Sequence, residues 1–206
     1  MDSEHRKRLV EPLIWGVIAL GVTAWAVSLW HLQFEQLNYR FWFLALVTVG
    51  LGSRLKVKIP QVKSEVTVSE TFVFLTMLLF DGEAAVLVAG VDAFCTSLRF
   101  SRKPRHHFFN GAMMAGTYFL TATLLRLCFG PITLLPEYAN SATLIFVICV
   151  MSLAQYASNS GLVALTVALR SGQPFWHTWR HNYLYTSLTY IAGASAAALI
   201  AKMTDM

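Results

Sequence analysis

Apolar residues lie along this chain in long blocks separated by short polar stretches, and blocks approaching about 20 residues have the length of a bilayer span. The first runs from about Leu9 to Trp30. It has the basic start of a signal peptide (Arg6, Lys7, Arg8), but its apolar part is too long and lacks a small-residue cleavage site, so it is expected to stay as a first helix. Arg40 opens a second block, Phe41 to about Gly52, short enough that Arg54 must snorkel for it to span. Lys56 to Val68 alternates apolar and polar residues around Pro60 and predicts an extended cytoplasmic segment.

Thr67 and Glu70 have the spacing of a capping box opening a third helix, with Phe72 to Phe80 following. Asp81-Gly82 signals a tight turn and Glu83 begins a fourth helix to about Leu98, so these two form a short-loop hairpin. Phe108 to Phe129 is a fifth span ended by Gly130-Pro131, and Thr143 to Leu169 a long sixth, broken by Gly172-Gln-Pro174. Phe175 to Tyr183, with two tryptophans among basic residues, suits the membrane interface, and Tyr185 to Ala201 supplies a seventh span. The pattern predicts an all-α membrane protein, a bundle of about seven transmembrane helices (six to eight) forming a single domain over 1–206, with no soluble domain.

Composition agrees: 56% of the 206 residues are apolar and 13% charged, about half the charged share of a soluble domain. The net charge of +5 does not point to nucleic acid, because the basic residues cluster between apolar blocks, where lipid headgroups place them. With a cytoplasmic N-terminus and seven spans, all but three of the 16 basic residues (Arg40, Arg126, Lys202) fall on the cytoplasmic side of a cell inner membrane. The C-terminus then lies outside. Cys95, Cys128 and Cys149 sit within apolar blocks and read as small buried packing residues.

No nucleophile elbow, phosphate-binding loop, dinucleotide glycine motif, zincin pair or Cys-x-x-Cys occurs, so the chain does not read as an enzyme, and no cofactor is implied. Polar residues at membrane depth are then the functional candidates. Asp92 stands alone in the fourth span, where it should face the bundle interior and find a partner or be protonated, the alternative being an interhelical hydrogen bond that only fixes packing. Gln155 and Asn159, four residues apart, share a face of the sixth helix that could line a ligand pocket or glue helices. Asn110 and Tyr190 complete the candidate ligand-binding set, Asn110 having an alternative as a capping or packing residue. Glu70 reads as the capping-box partner. His177 and His181 have the spacing of two helical metal ligands, but lack a nearby carboxylate, and anchoring by Trp176 and Trp179 explains that stretch more simply. The run Gly193 to Ala198 reads as a close helix-packing face.

Several stretches together carry a family resemblance: Ser69-Glu-Thr-Phe-Val-Phe74 with Leu78-Leu-Phe80 and a turn, Phe109-Asn110 after a basic loop, and Trp179-Arg-His-Asn-Tyr183 before a Gly-Ala-Ser run. Over roughly residues 40 to 200 the chain resembles the N-terminal membrane module of bacterial signalling proteins with HD-GYP phosphodiesterase or GGDEF diguanylate cyclase outputs. More distantly, the hairpin is similar to the substrate-binding S-components of energy-coupling-factor transporters. The resemblance implies a sensory input module in cyclic di-GMP signalling, with an unknown small-molecule ligand, the bilayer and a homo-oligomer as partners. It also implies a further helix and a cytoplasmic output domain beyond Met206, where any cyclic-dinucleotide chemistry would lie. The alternatives are a solute-binding transporter subunit and a structural membrane anchor.

Overall fold

The computed structural model describes residues 3–52, 56–58, 65–67 and 69–204. Helix α1 (Ser3–His31) is followed by α2 (Tyr39–Val47), whose last turn widens into a π-helical Thr48–Gly52. Two three-residue strands, β1 (Lys56–Lys58) and β2 (Glu65–Thr67), pair antiparallel with Val57 opposite Val66. Helices α3 (Ser69–Ser97), α4 (Pro104–Phe129), the single turn α5 (Leu135–Tyr138), α6 (Ser141–Ser171), α7 (Phe175–Tyr183) and α8 (Ser187–Thr204) complete the fold. Arg54 and Pro60 lie outside the described residues.

The expected stops are where the chain turns. Gly130 and Gly172 take positive φ (82° and 72°) after α4 and α6, a conformation cheap only without a Cβ. Asn140 caps α6 by accepting the Thr143 N–H at 2.8 Å, and Asn38 caps α2 by accepting from Arg40 and Phe41.

Five segments are long and apolar enough to cross a membrane: Leu9–His31, Ser69–Ser97, Pro104–Phe129, Ser141–Ser171 and Phe175–Thr204. Their outward surface fits, since large apolar side chains such as Trp30 (87% exposed), Leu127 (78%) and Leu46 (72%) would be untenable together in water. The described residues thus hold five segments of membrane-spanning length and composition, where seven were expected. The difference has two physical sources. The second block is helical but shorter, Tyr39–Gly50, about 18 Å of rise against a hydrocarbon core of about 30 Å. The third and fourth blocks both lie within Ser69–Ser97, which is broken at Asp81, so neither alone has the length of a full span.

That segment is not a straight rod. Asp81 has φ 72° and ψ 172°, far from helical values, and its carboxylate accepts the following Gly82 N–H at 2.6 Å. Ser69 and Glu70 line the same cavity as Asp92 and Thr96, yet a straight helix would hold Ser69 and Asp92 about 34 Å apart. The segment therefore doubles back at Asp81 into two antiparallel arms, 69–80 and 82–97, as the Asp81-Gly82 turn signal predicts. At the tip Arg126 of α4 bonds Asp81 at 2.8 Å and also grips Glu83.

The hairpin forms the core. Phe74 and Tyr118 are fully buried with ring centroids 5.6 Å apart, and Met77, Leu78, Ala84, Ala85 and Val86 are buried around them. Trp25 of α1 and Ala115 of α4 meet the second arm at Gly90, Tyr118 of α4 meets the first at Phe74, and α8 packs on the first at Thr71. The small residues of α8 permit this: a Cβ on Gly193 would sit 3.2 Å from Thr71 Oγ1, and Ala194, Ala197, Ala198 and Ala201 are buried. The cysteines depart from expectation, Cys128 and Cys149 being exposed and Cys95 half-buried, all three free. An apolar thiol on a lipid-facing helix surface needs no partner.

A candidate polar site at the open end of the hairpin

Where the hairpin arms open, opposite the Asp81 tip, they meet the start of α4 and the middle of α6. A cavity of about 410 Å³ lies there, lined by Glu70 from the first arm, Asp92 and Thr96 from the second, His106 and Asn110 from α4, and Asn159 from α6. Met113, Met114, Phe100 and Val163 supply its apolar walls.

Asp92 is buried (7% exposed) and lies within hydrogen-bonding reach of the Ser69 hydroxyl across the hairpin. Its Oδ1 has no partner. Asn159 donates its amide to Tyr190 Oη at 2.5 Å. Tyr190 in turn lies beside Glu70. Asn159 Oδ1, Glu70 Oε2 and Thr96 Oγ1 are buried without a hydrogen-bond partner. The rim is fixed by two histidine contacts, Ser97 Oγ to His107 Nδ1 at 2.9 Å and Ser101 Oγ to His106 Nδ1 at 3.1 Å.

Of the five residues singled out from sequence, Asp92, Asn110 and Asn159 line the cavity, and Tyr190 supports it through Asn159 and Glu70. Gln155 does not join them. Fully buried, it accepts from Thr121 Oγ1 and donates to Thr117 Oγ1, both at 3.1 Å, tying α6 to α4. One turn of helix separates the packing amide from the cavity amide.

Glu70 is the cavity residue that sequence reasoning did not single out. Thr67 belongs to β2 and α3 begins at Ser69, and Glu70 lines the cavity with Asp92. The signal was available: Glu70 opens an apolar helix, where a carboxylate without a cap partner must find one inside. His177 and His181 stack on each other with centroids 5.9 Å apart, and no group of three or more potential metal ligands gathers among the described residues. Trp176 is exposed as an interfacial anchor would be, but Trp179 reaches inward. Its Nε1 donates to Ser160 Oγ at 2.8 Å and its ring stacks on Tyr156, pinning α7 to α6.

The class defined by fold and site is a helical membrane bundle built around a hairpin with a polar, partly unsatisfied cavity at the hairpin's open end. No family model matches the chain, and no characterised protein or solved structure shows significant similarity to it.

Proposed function

We propose that this chain is a membrane-embedded ligand-binding module that acts as the sensory input of a bacterial signalling protein, as the sequence resemblance implies. The observation that carries the reading is the cavity, whose lining combines two carboxylates with hydrogen-bonding atoms that lack partners. Such atoms are costly within a membrane bundle, where water does not rescue them.

The cavity also suits transmission. A solute held there touches both arms of α3, together with α4 and α6, and bears on α8 through Glu70 and Tyr190. Occupancy would favour one packing of these helices over another, and so bias the position of α8. In this reading the protein lies in the inner membrane with its N-terminus cytoplasmic. Helices α1, α2, the two hairpin arms, α4, α6 and α8 cross in turn, the arms and α2 being shorter than a full span because neighbouring helices sheathe them. The basic loop before α4 then faces the cytoplasm and the Arg126 cluster faces outside.

The full chain in lipid nanodiscs should melt at a higher temperature in the low-mass filtrate of a bacterial extract, and native mass spectrometry should find a small solute retained. Asp92→Leu should abolish both. Spin labels on the exposed Leu120 of α4 and Leu199 of α8 should report a changed distance distribution on binding. An unchanged melt with no retained solute overturns the ligand-binding reading, and binding without a distance change favours a passive solute-binding subunit over a sensor.

A further inference from the structure

A second cavity, of about 180 Å³, lies beside the start of α4, between α1 and the end of α6. Its polar lining is Arg105, His106 and Asn110 of α4 with Arg170 from the last turn of α6, and no carboxylate joins them. We infer that this cavity binds a phosphate group, carried by an anionic lipid headgroup or by a soluble phosphate, independently of the ligand-binding reading above.

Positive charge gathers there from several elements. Lys103 in the loop before α4, Arg105 on α4 and Arg170 on α6 all act electrostatically on His106, which lines the cavity. The countercharge is thin. Glu11 bonds Arg105 at 2.7 Å, but its carboxylate is 60% exposed, and a solvent-facing pair of this kind is weak enough to yield to a competing anion. Arg170 is exposed, and among the described residues no carboxylate pairs with it.

Shape and chemistry favour phosphate over a carboxylate. One guanidinium fork satisfies both oxygens of a planar carboxylate, whereas a tetrahedral phosphate keeps oxygens for a second cation on another helix. Arg105 and Arg170 stand on two helices, and Asn110 adds amide donors. The cavity is several times the about 30 Å³ of a water but smaller than the about 300–1,000 Å³ of pockets that enclose whole small molecules. It suits a headgroup-sized fragment. Ile14, Phe109 and Val167 form its apolar wall, against which the carbons next to a phosphate ester would rest. Basic pockets between membrane helices at the loop level take anionic headgroups by this combination of charge and apolar wall.

The test follows melting of the full chain in a maltoside detergent, which carries no phosphate. The probes are short-chain phosphatidylglycerol, short-chain phosphatidylcholine, inorganic phosphate, sodium acetate and sodium chloride at matched ionic strength. Phosphatidylglycerol or inorganic phosphate should raise the midpoint in a saturable way, with no saturable shift from acetate or chloride. Saturation by phosphatidylglycerol at the lower concentration assigns the group to a lipid, and the reverse order assigns it to a soluble phosphate. Arg170→Gln removes a cation without an ion pair, so the unliganded melt should stay unchanged while binding weakens about tenfold to a hundredfold. Arg102→Gln makes the same charge change at an exposed position outside the cavity and should leave binding intact. A phosphatidylglycerol shift matched by phosphatidylcholine is an acyl-chain effect and counts as none. No saturable response to either phosphate compound overturns the inference. So does a response that acetate matches, or one that the two arginine variants weaken equally.

Discussion

Gly21 sits where α1 crosses α4, and a Cβ built on it would lie 1.9 Å from the Ala112 carbonyl oxygen and 2.3 Å from its carbon. Both atoms are backbone, so no rotamer change relieves the overlap. Ordinary contact is about 3.5 Å, and Gly21→Ala must therefore push α1 outward by more than about 1 Å. The displaced helix carries Trp25, whose ring approaches Gly90 at 3.0 Å to a built Cβ, so the loosened contact extends to the hairpin. The substitution gains about 1 kcal/mol of helix propensity. Overpacking against an unyielding backbone costs about 1–3 kcal/mol, and lipid gives no compensating hydrophobic gain when helices part. Gly16 lies on the same helix with nothing within 4 Å of its Cβ position, so Gly16→Ala collects the propensity without the clash. Thermal unfolding in nanodiscs at a fixed scan rate should place Gly21→Ala about 2–12 °C below Gly16→Ala, which has the same propensity gain without the clash, and below the parent. Gly16→Ala should fall at or slightly above it. Gly21→Ala melting with the parent would show that α1 and α4 do not approach this closely.

Two further outcomes follow from the side-chain networks. Arg126→Leu leaves Asp81 and Glu83 without their shared cation at the hairpin tip; with these side chains partly exposed, the expected cost is about 1–2 kcal/mol. Amide hydrogen exchange over residues 79–86 should accelerate, and unchanged protection there would show that the tip holds itself. Gln155→Leu and Asn159→Leu should be additive within about 0.5 kcal/mol, because Gln155 meets Thr117 and Thr121 whereas Asn159 meets Tyr190. Strong non-additivity in a double-mutant melt would join them in one network.

What could be read from sequence followed the strength of local signals. Asp81-Gly82, Gly130-Pro131 and Gly172-Gln-Pro174 are backbone instructions that act over two or three residues, and each ends a helix where it stands. The apolar blocks were equally plain, because lipid-facing helices cannot hide their composition. Shared faces were harder. Gln155 and Asn159 lie on one face of α6, but the spacing does not say that one amide meets α4 and the other α8, which depends on how far each helix slides along its neighbours. Glu70 was obscured because two physical explanations competed for one carboxylate, and the local one was satisfied by spacing alone.

The hairpin also explains why polar groups could gather where they do. A helix exposed to lipid must be long and uniformly apolar, because every break in its backbone hydrogen bonding is unsatisfied there. The first arm of α3, at about a dozen residues, rises only about 18 Å, and the turn at Asp81 interrupts the helical ladder. Such a segment is stable only inside a sheath of other helices, which α1, α4 and α8 provide. Once sheathed, its open end faces other helices rather than lipid, and carboxylates such as Glu70 and Asp92 become tolerable there. The charged clamp at the tip and the polar cavity at the mouth therefore depend on one arrangement. A change that loosened the Arg126 clamp would shift the two arms against each other and reach the cavity without touching any residue that lines it.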